Sequence, residues 1–239
     1  MIDTSGTFME PSFEAYFYRQ IELWGKKKQE SLKDKKVAII GCGGLGCSLG
    51  VSLGSTGIGE FHLVDFDKVS AHNIHRQIAF KEGDEGRFKA HLLAEIMEDR
   101  CSYTKVYPHC KKFEDFAEQD CENIKLDLII DATDNLEVRA KIDKFAKERN
   151  IPWIYGSVEE FHGHVCFFEK SSFDAFKITD RKPKGIAAPI VMQIASFQAN
   201  LALRYFVGYK IEKDTLYYFY FDEDTGEFKR EKFKMPVVS

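Results

Sequence analysis

A short glycine-rich segment is the part of this chain whose residue types and spacing are best suited to chemistry. It reads Gly-Cys-Gly-Gly-Leu-Gly and follows an apolar run that predicts a buried strand. Glycines at a strand-to-helix turn let the backbone adopt positive φ and approach an anion closely. Free N–H groups and the helix dipole then hold that anion. The segment therefore predicts a phosphate-binding turn, with contacts to the nucleotide from Gly41, Gly43, Gly44, Leu45 and Gly46.

The side chains that follow the turn indicate which nucleotide is bound. Asp65 and Asp67 end a second predicted strand, about twenty residues after the last glycine, where a carboxylate accepts hydrogen bonds from ribose hydroxyls. An NAD-dependent oxidoreductase would share that feature. Asn73, Arg76 and Lys89 come next and supply more cationic and polar groups than a dinucleotide pyrophosphate requires. This cluster favours a triphosphate undergoing chemistry, and Gln77 beside it either contacts phosphate or braces the loop.

Strands and helices alternate around these residues. Predicted strands cover 37–40, 61–64, 104–107, 126–131 and 152–155, and predicted helices cover 44–55, 87–100, 113–119 and 135–149. This alternation is typical of an α/β Rossmann-like fold with a mostly parallel sheet. After residue 152 the pattern predicts a strand at 165–168, a helix at 188–207 and an aromatic hairpin at 216–230. We therefore expect antiparallel strands to continue the sheet on its C-terminal side.

Length and composition indicate a single domain of 239 residues. We divide it into an N-terminal helical arm (1–35, with a loose leader at 1–11 and a helix at 13–24), a nucleotide-binding half (36–155) and a C-terminal part (156–239). The net charge of −4 gives no general attraction to nucleic acid or anionic lipid. No signal-peptide pattern or membrane-length apolar run occurs, so we expect a cytoplasmic protein that binds neither nucleic acid nor membrane.

The cysteines and histidines give little support for a structural metal. Six cysteines occur without any Cys-x-x-Cys pair, so we expect reduced thiols and no zinc. His162, His164 and Cys166 would share one face of a strand and would offer three ligands to a metal. No fourth ligand has suitable spacing, which favours a polar strand face beside the nucleotide site over a metal centre.

The order of the motifs resembles a known family. The chain contains, in sequence, Arg19-Gln20, the glycine turn, Asp65-Phe66-Asp67, Asn73 to Gln77, Lys89 and Asp131 to Asn135. This order resembles the ThiF/MoeB branch of the ubiquitin-activating-enzyme superfamily over about Tyr16 to Gly208. Enzymes of this branch adenylate the C-terminal glycine of small ubiquitin-like sulfur-carrier proteins. The resemblance implies the same reaction here, with ATP and Mg²⁺ as cofactors.

The resemblance also implies a role for each matching residue. Asp65 would hold the ribose with Asp67 near it, and Asn73, Arg76 and Lys89 would hold the phosphates. Asp134 would bind the magnesium ion, whereas Asp131 would end its strand and cap the next helix. Arg19 would reach across a homodimer interface into the partner's ATP site. The expected catalytic residues are thus Arg19, Arg76, Lys89 and Asp134, which fits a reaction that needs charge cancellation and alignment rather than a protein nucleophile.

Two features of many relatives are missing. The zinc-binding Cys-x-x-Cys pairs are absent, and Arg181 stands where many relatives carry a crossover-loop cysteine, which leaves adenylation as the supported step. We expect the partner to be a carrier ending in Gly-Gly, first the thiamine-pathway carrier and alternatively the molybdopterin carrier. The loop 181–184 and the aromatic residues 217–221 are candidates for its docking surface, although aromatic residues at strand spacing more often belong to the core. An NAD-binding oxidoreductase and a non-catalytic heterodimer subunit are less favoured, because Arg76 and Lys89 exceed the needs of a dinucleotide and every matched ATP-site position is filled.

Overall fold

A computed structural model describes residues 11–176 and 185–237. Within these two ranges the strands are β1 (Lys36–Ile40), β2 (Glu60–Val64), β3 (Lys105–His109), β4 (Leu128–Asp131), β5 (Trp153–Glu159), β6 (His162–Phe168), β7 (Thr215–Phe221) and β8 (Phe228–Lys234). The helices are α1 (Phe13–Tyr16), α2 (Tyr18–Trp24), α3 (Lys26–Ser31), α4 (Gly44–Leu53), α5 (Lys89–Arg100), α6 (Phe113–Gln119), α7 (Leu136–Arg149) and α8 (Ala188–Phe206).

One sheet of eight strands joins these elements in the order β3-β2-β1-β4-β5-β6-β7-β8. The neighbours from β3 to β5 pair in parallel, and those from β5 to β8 pair antiparallel. This confirms the predicted fold class. The register pairs Ile40 with both Val64 and Asp131, so the carboxyl ends of β1, β2 and β4 are level with one another. The residues that follow these three strands therefore meet at one edge of the sheet, where ligands bind in open α/β sheets.

Helices cover both faces of the sheet. Val37 and Ile39 face α4, α5 and α8, whereas Ala38 and Ile40 face α6 and α7, as the two-residue period of a strand requires. Each fully buried aliphatic side chain contributes about 1.5–3 kcal/mol relative to an exposed one. The sheet is thus fixed from both sides, and its carboxyl edge is a rigid platform for the loops that leave it.

The N-terminal arm differs from the single helix predicted over 13–24. The helix is divided at Phe17, whose side chain is 2% exposed, and Gly25 separates α2 from α3 with φ of 87°. Residues 1–10 of the predicted leader lie outside the described residues, and the division of the chain into three parts stays a prediction. None of the helices in the described ranges is both long and apolar enough to cross a membrane.

Candidate nucleotide site

The glycine turn joins β1 to α4 in a space that side chains would fill. Gly41 has φ of 95°, and its N–H donates to the carbonyl of Val64 at 2.8 Å. A Cβ at Gly46 would lie 2.0 Å from the carbonyl oxygen of Gly41. Gly43 has no side chain with which to cap α4, and within the described ranges no other side chain accepts the first N–H groups of this helix. The turn can thus present free N–H groups and the positive end of α4 to an anion.

Asp65 supports the turn from β2. Its carboxylate accepts the N–H of Cys42 at 2.6 Å and the N–H of Asp67 at 2.7 Å. Burial raises the pKa of Asp65, although these two hydrogen bonds and the charge of Lys89 partly offset that effect. A carboxylate has about four acceptor positions, so Asp65 keeps capacity for the hydroxyls of a ribose.

Lys89 brings a buried positive charge next to the two aspartates. Its Nζ lies 2.8 Å from Oδ2 of Asp67, and its backbone N–H donates to the carbonyl of Asp67 at 3.0 Å. Lys89 is the first residue of α5 and is buried, whereas Asp67 is half exposed. An ammonium group has three donors, so this ion pair leaves two of them for a phosphate.

The segment 73–77 packs against the turn and adds a second cation. Nη2 of Arg76 donates to Oδ1 of Asn73 at 2.9 Å, and a Cβ on Gly44 would lie 3.4 Å from the carbonyl of Arg76. Gln77 is buried beside Gly43, and its Oε1 has no hydrogen-bond partner within the described part of the chain. Leaving a buried polar atom unpaired costs about 1–3 kcal/mol. An amide oxygen only accepts hydrogen bonds, so this atom can pair with a donor but not with a phosphate oxygen, and the choice between a phosphate contact and a bracing role for Gln77 stays open.

Asp131 and Asp134 have different surroundings at the end of β4. Asp131 is fully buried and accepts hydrogen bonds from Arg139 Nε at 3.0 Å and from the N–H and hydroxyl of Thr133 at 2.9 and 2.7 Å. Asp134 is exposed, and its carboxylate forms no hydrogen bond or ion pair within the described ranges. Asp134 is therefore the carboxylate free to bind a cation, and Asp131 is committed to Arg139.

Two sequence-based interpretations of this region need revision. Asp131 does not cap α7: Asn135 does, because its side chain accepts the N–H groups of Glu137 and Val138 at 2.9 and 3.2 Å. Sequence reasoning also missed Arg139, which is buried and whose Nη2 donates to the carbonyls of Thr133 and Gly156. The available signal was an arginine on the inward side of the first turn of α7, eight residues after Asp131.

Arg19 is not brought to this site within its own chain. It lies on α2, its side chain is 87% exposed, and its ion-pair partner is Glu22 at 3.0 Å on the same helix. The neighbouring Gln20 donates to the carbonyl of Thr56, which follows the far end of α4. Ten residues of α4 separate that point from the turn, a length of about 15 Å. The arm therefore lies at the opposite edge of the sheet from Arg76, Lys89 and Asp134.

β6 places His162, His164 and Cys166 on one face, as its pattern predicts. Nδ1 of His162 lies 2.6 Å from the hydroxyl of Tyr218, and the ring of His164 stacks on Tyr218 at 4.7 Å between centroids. Among the described residues, no group of three or more His, Cys, Asp or Glu side chains is arranged to hold a metal ion. The absence of zinc stays a prediction, and Arg181 lies outside the described residues.

The two cysteines at the turn are buried. Burial raises the pKa of the Cys47 thiol to about 12 and that of Cys42 well above its ordinary value. Both thiols are therefore protonated at neutral pH, and neither is an activated nucleophile.

Exposed aromatic side chains lie at the same edge of the sheet as the turn. Within 217–221, Tyr217 and Phe219 are buried, Tyr218 and Tyr220 are half-buried, and Phe221 is exposed. Phe161, Phe221 and Phe228 are 57%, 44% and 42% exposed and contact one another through Phe221, at 6.3 and 5.1 Å between ring centroids. An open cavity of about 460 Å³ adjoins Phe161 and includes Glu160 and Gly185 to Ala187. We call Phe161, Phe221 and Phe228 the aromatic edge. The other candidate contact, 181–184, lies outside the described residues.

Comparisons with known proteins agree with this geometry. The model of the ThiF family matches residues 17–237. The chain is 32% identical over 193 residues to a Caenorhabditis briggsae protein named adenylyltransferase and sulfurtransferase MOCS3, covering 75% of this chain and 47% of that one. It is 30% identical over 210 residues to the molybdopterin-synthase adenylyltransferase of Escherichia coli (strain K12), covering 81% and 82%. The chain thus spans about half the length of the MOCS3 relatives it matches, at 47% and 44%.

Solved structures show the same fold at lower identity. E. coli MccB, solved with ATP, superposes with a TM-score of 0.80 at 20% identity, covering 96% of this chain and 73% of MccB. PaaA superposes with a TM-score of 0.78 at 22% identity, covering 98% and 78%. These likenesses include the antiparallel C-terminal strands, since they extend over nearly the whole chain.

Proposed function

The chain belongs to the ThiF family, and we propose that it is an ATP-dependent adenylyltransferase that activates the C-terminal glycine carboxylate of a small ubiquitin-like sulfur-carrier protein. The observation that carries this proposal is the convergence of two cations, Arg76 and Lys89, on a glycine turn at the carboxyl edge of the sheet. A relative named molybdopterin-synthase adenylyltransferase and a neighbour solved with ATP support it.

The residues of the site fit a bound triphosphate. Among the described residues no side chain accepts the first N–H groups of α4, so the turn offers these donors to phosphate oxygens. Arg76 has five N–H donors and gives one to Asn73 and one to His75, so others are free for phosphate oxygens. Asp65 would hold the ribose, with Asp67 beside it. Asp134 would hold Mg²⁺, which when bound supplies further neutralisation of the phosphate charge.

The reaction needs no base from the protein. The carrier carboxylate is ionised at neutral pH, so one of its oxygens forms the bond to the α-phosphorus while the bond to pyrophosphate breaks. Two anions must approach each other, and this repulsion is the main obstacle that the protein can lower. Arg76 and Lys89 would cancel charge on the phosphates, and the rigid carboxyl edge of the sheet would align the reacting atoms.

The carrier is the finer part of the proposal. We place the molybdopterin-synthase carrier first, because the relatives of E. coli and Haemophilus influenzae carry the name molybdopterin-synthase adenylyltransferase. The thiamine-pathway carrier that we expected first has no such support. The aromatic edge offers an exposed apolar surface at the same edge of the sheet as the site, on which the carrier would rest while its C-terminal tail extends toward the turn.

Exchange of labelled pyrophosphate into ATP tests the activity. We expect exchange with Mg²⁺ and an intact Gly-Gly carrier of the molybdopterin type, and none when the last glycine of that carrier is removed. A thiamine-type carrier serves as the comparison for specificity. No exchange with either carrier, together with micromolar binding of NADH, would favour the oxidoreductase interpretation instead.

We also propose a homodimer in which Arg19 acts on the partner's site. The exposed side chain of Arg19 and its distance from the turn of its own chain support this arrangement. Arg19→Ala and Lys89→Ala should each abolish exchange as homodimers. Mixed dimers should recover activity, because one of their two sites combines an intact Lys89 with an intact Arg19. Absence of recovery after confirmed subunit exchange would contradict the shared site.

A further inference from the structure

A buried glutamine on α3 fastens α2 to the body of its own chain. Gln29 is fully buried, and its Oε1 accepts hydrogen bonds from Gln20 Nε2 at 2.9 Å and Trp24 Nε1 at 3.0 Å. Its Nε2 donates to the carbonyl of Thr56 at 2.8 Å, which also accepts from Gln20 at 2.8 Å. We call these four residues the amide cluster. Both ends of α2 are thereby tied to the segment after α4.

Space for the Gln29 amide exists because residue 57 is a glycine and has no side chain. Gly57 has φ of 92°, and a Cβ there would lie 2.4 Å from Nε2 of Gln29. Burying an amide is unfavourable unless its polar atoms are paired, and a residue of similar size without polar atoms would pack there at no such cost. A buried, hydrogen-bonded glutamine therefore indicates that directional hydrogen bonds, and not burial alone, are needed at this position.

Hydrophobic packing alone does not set the orientation of α2, in which Trp24 packs against the core with a partly buried side chain. None of its seven residues is buried, and apolar contacts are in any case non-directional. Hydrogen bonds require alignment of donor and acceptor, so the bonds from Gln20 and Trp24 fix both the position of α2 and its rotation about its own axis. Arg19 lies next to Gln20 and points away from the cluster into solvent.

We infer that Gln29 is a positioning residue, which holds α2 so that Arg19 projects from its own chain into the nucleotide site of the partner. The inference rests on the proposed function, and in particular on the action of Arg19 across the dimer. A displacement of a reacting or clamping group by about 1 Å lowers a rate by up to about 10²-fold. Loss of the amide cluster should therefore reduce catalysis in a site of the other subunit.

Mixed dimers separate positioning from general stability. The parent dimer joins two different subunits. The Arg19→Ala subunit keeps an intact Lys89, and the Lys89→Ala subunit keeps an intact Arg19 on its N-terminal arm. Gln29→Met keeps the size of the side chain and removes its hydrogen bonds. In the first arrangement Gln29→Met is placed in the Lys89→Ala subunit, where it weakens the attachment of the arm that carries Arg19. In the second arrangement it is placed in the Arg19→Ala subunit, where it weakens the attachment of an arm that already lacks this arginine. Both dimers contain the same substitutions in different arrangement.

We expect pyrophosphate exchange to fall at least about tenfold from the parent dimer in the first arrangement and to stay within about twofold in the second. Equal loss in both arrangements, or loss in neither, would overturn the inference. If Gln29→Met prevents assembly, Gln20→Met replaces it in both arrangements. This variant changes a half-buried residue, removes its hydrogen bond to Gln29, and should show the same asymmetry. The absence of exchange by wild type would instead refute adenylation, and the absence of recovery in the parent dimer would refute the shared site on which the inference depends.

Discussion

Replacing Arg139 by methionine should destabilise the protein strongly, because it leaves a buried negative charge uncompensated. Asp131 is fully buried, and Nε of Arg139 lies 3.0 Å from its carboxylate. Removing one partner of a buried ion pair costs about 3–5 kcal/mol, and domains unfold with about 5–15 kcal/mol. The carbonyls of Thr133 and Gly156 also lose a donor. We therefore expect Arg139→Met to fold, with a free energy of unfolding lower by about 3–5 kcal/mol at pH 7.

The loss should depend on pH in a defined direction. Burial raises the pKa of Asp131 above its ordinary value of 3.8, and the charge of Arg139 opposes that rise. Without Arg139 the pKa of the folded state rises further. The folded state then binds a proton more tightly than the unfolded state, so the destabilisation is complete at neutral pH and is relieved as the pH falls through the folded-state pKa. The difference between wild type and variant should therefore shrink on acidification.

Urea denaturation followed by tryptophan fluorescence measures these differences. The matched control is Lys144→Met on the same helix, which removes a cation paired with Glu148 at 3.9 Å, with side chains 79% and 63% exposed. That control should lose at most about 1 kcal/mol. Adding Asp131→Asn to Arg139→Met should recover part of the stability, since no buried charge remains. Equal losses for Arg139→Met and Lys144→Met, or a difference from wild type that grows on acidification, would refute the reasoning.

Three further changes have expected outcomes. Gly46→Ala places a Cβ 2.0 Å from a backbone oxygen and should lower the free energy of unfolding, measured by thermal denaturation, by about 1–3 kcal/mol. Gly43→Ala, whose Cβ would have its nearest contact at 3.6 Å, should lower it less, and equal losses would contradict the packing of the turn. Asp134→Asn should raise the Mg²⁺ concentration needed for half-maximal exchange, and an unchanged requirement would remove Asp134 as the ligand. Burial lowers the pKa of His109 from 6.5 to about 4, so the unfolded state binds the proton more tightly and wild type should lose stability as the pH falls from 6.5 through 4. His109→Gln should lose less stability over this range, as measured by urea denaturation.

The sequence by itself determined the parts of this protein that depend on near neighbours in the chain. Apolar runs of four to six residues and glycines at a turn are read within a few positions, so the parallel strands, the helices α4 to α8 and the glycine turn between β1 and α4 were predicted close to their observed bounds. The ordered motifs also indicated the family that the comparison with the ThiF model confirms. The roles assigned to the site residues stay predictions.

The tertiary structure decided which of these residues are buried and which are paired. The sequence could not reveal that Gln77 is buried with its Oε1 unpaired among the described residues, or that Tyr217 is buried whereas Phe221 is exposed, because burial depends on elements far away in the chain. Arg139 lies only eight residues after Asp131, but their pairing depends on how α7 packs beside β4. The position of Arg19 was decided in the same way. Hydrogen bonds from the arm to the segment after α4 hold it at the far edge of the sheet, and no local pattern encodes a contact across 36 residues.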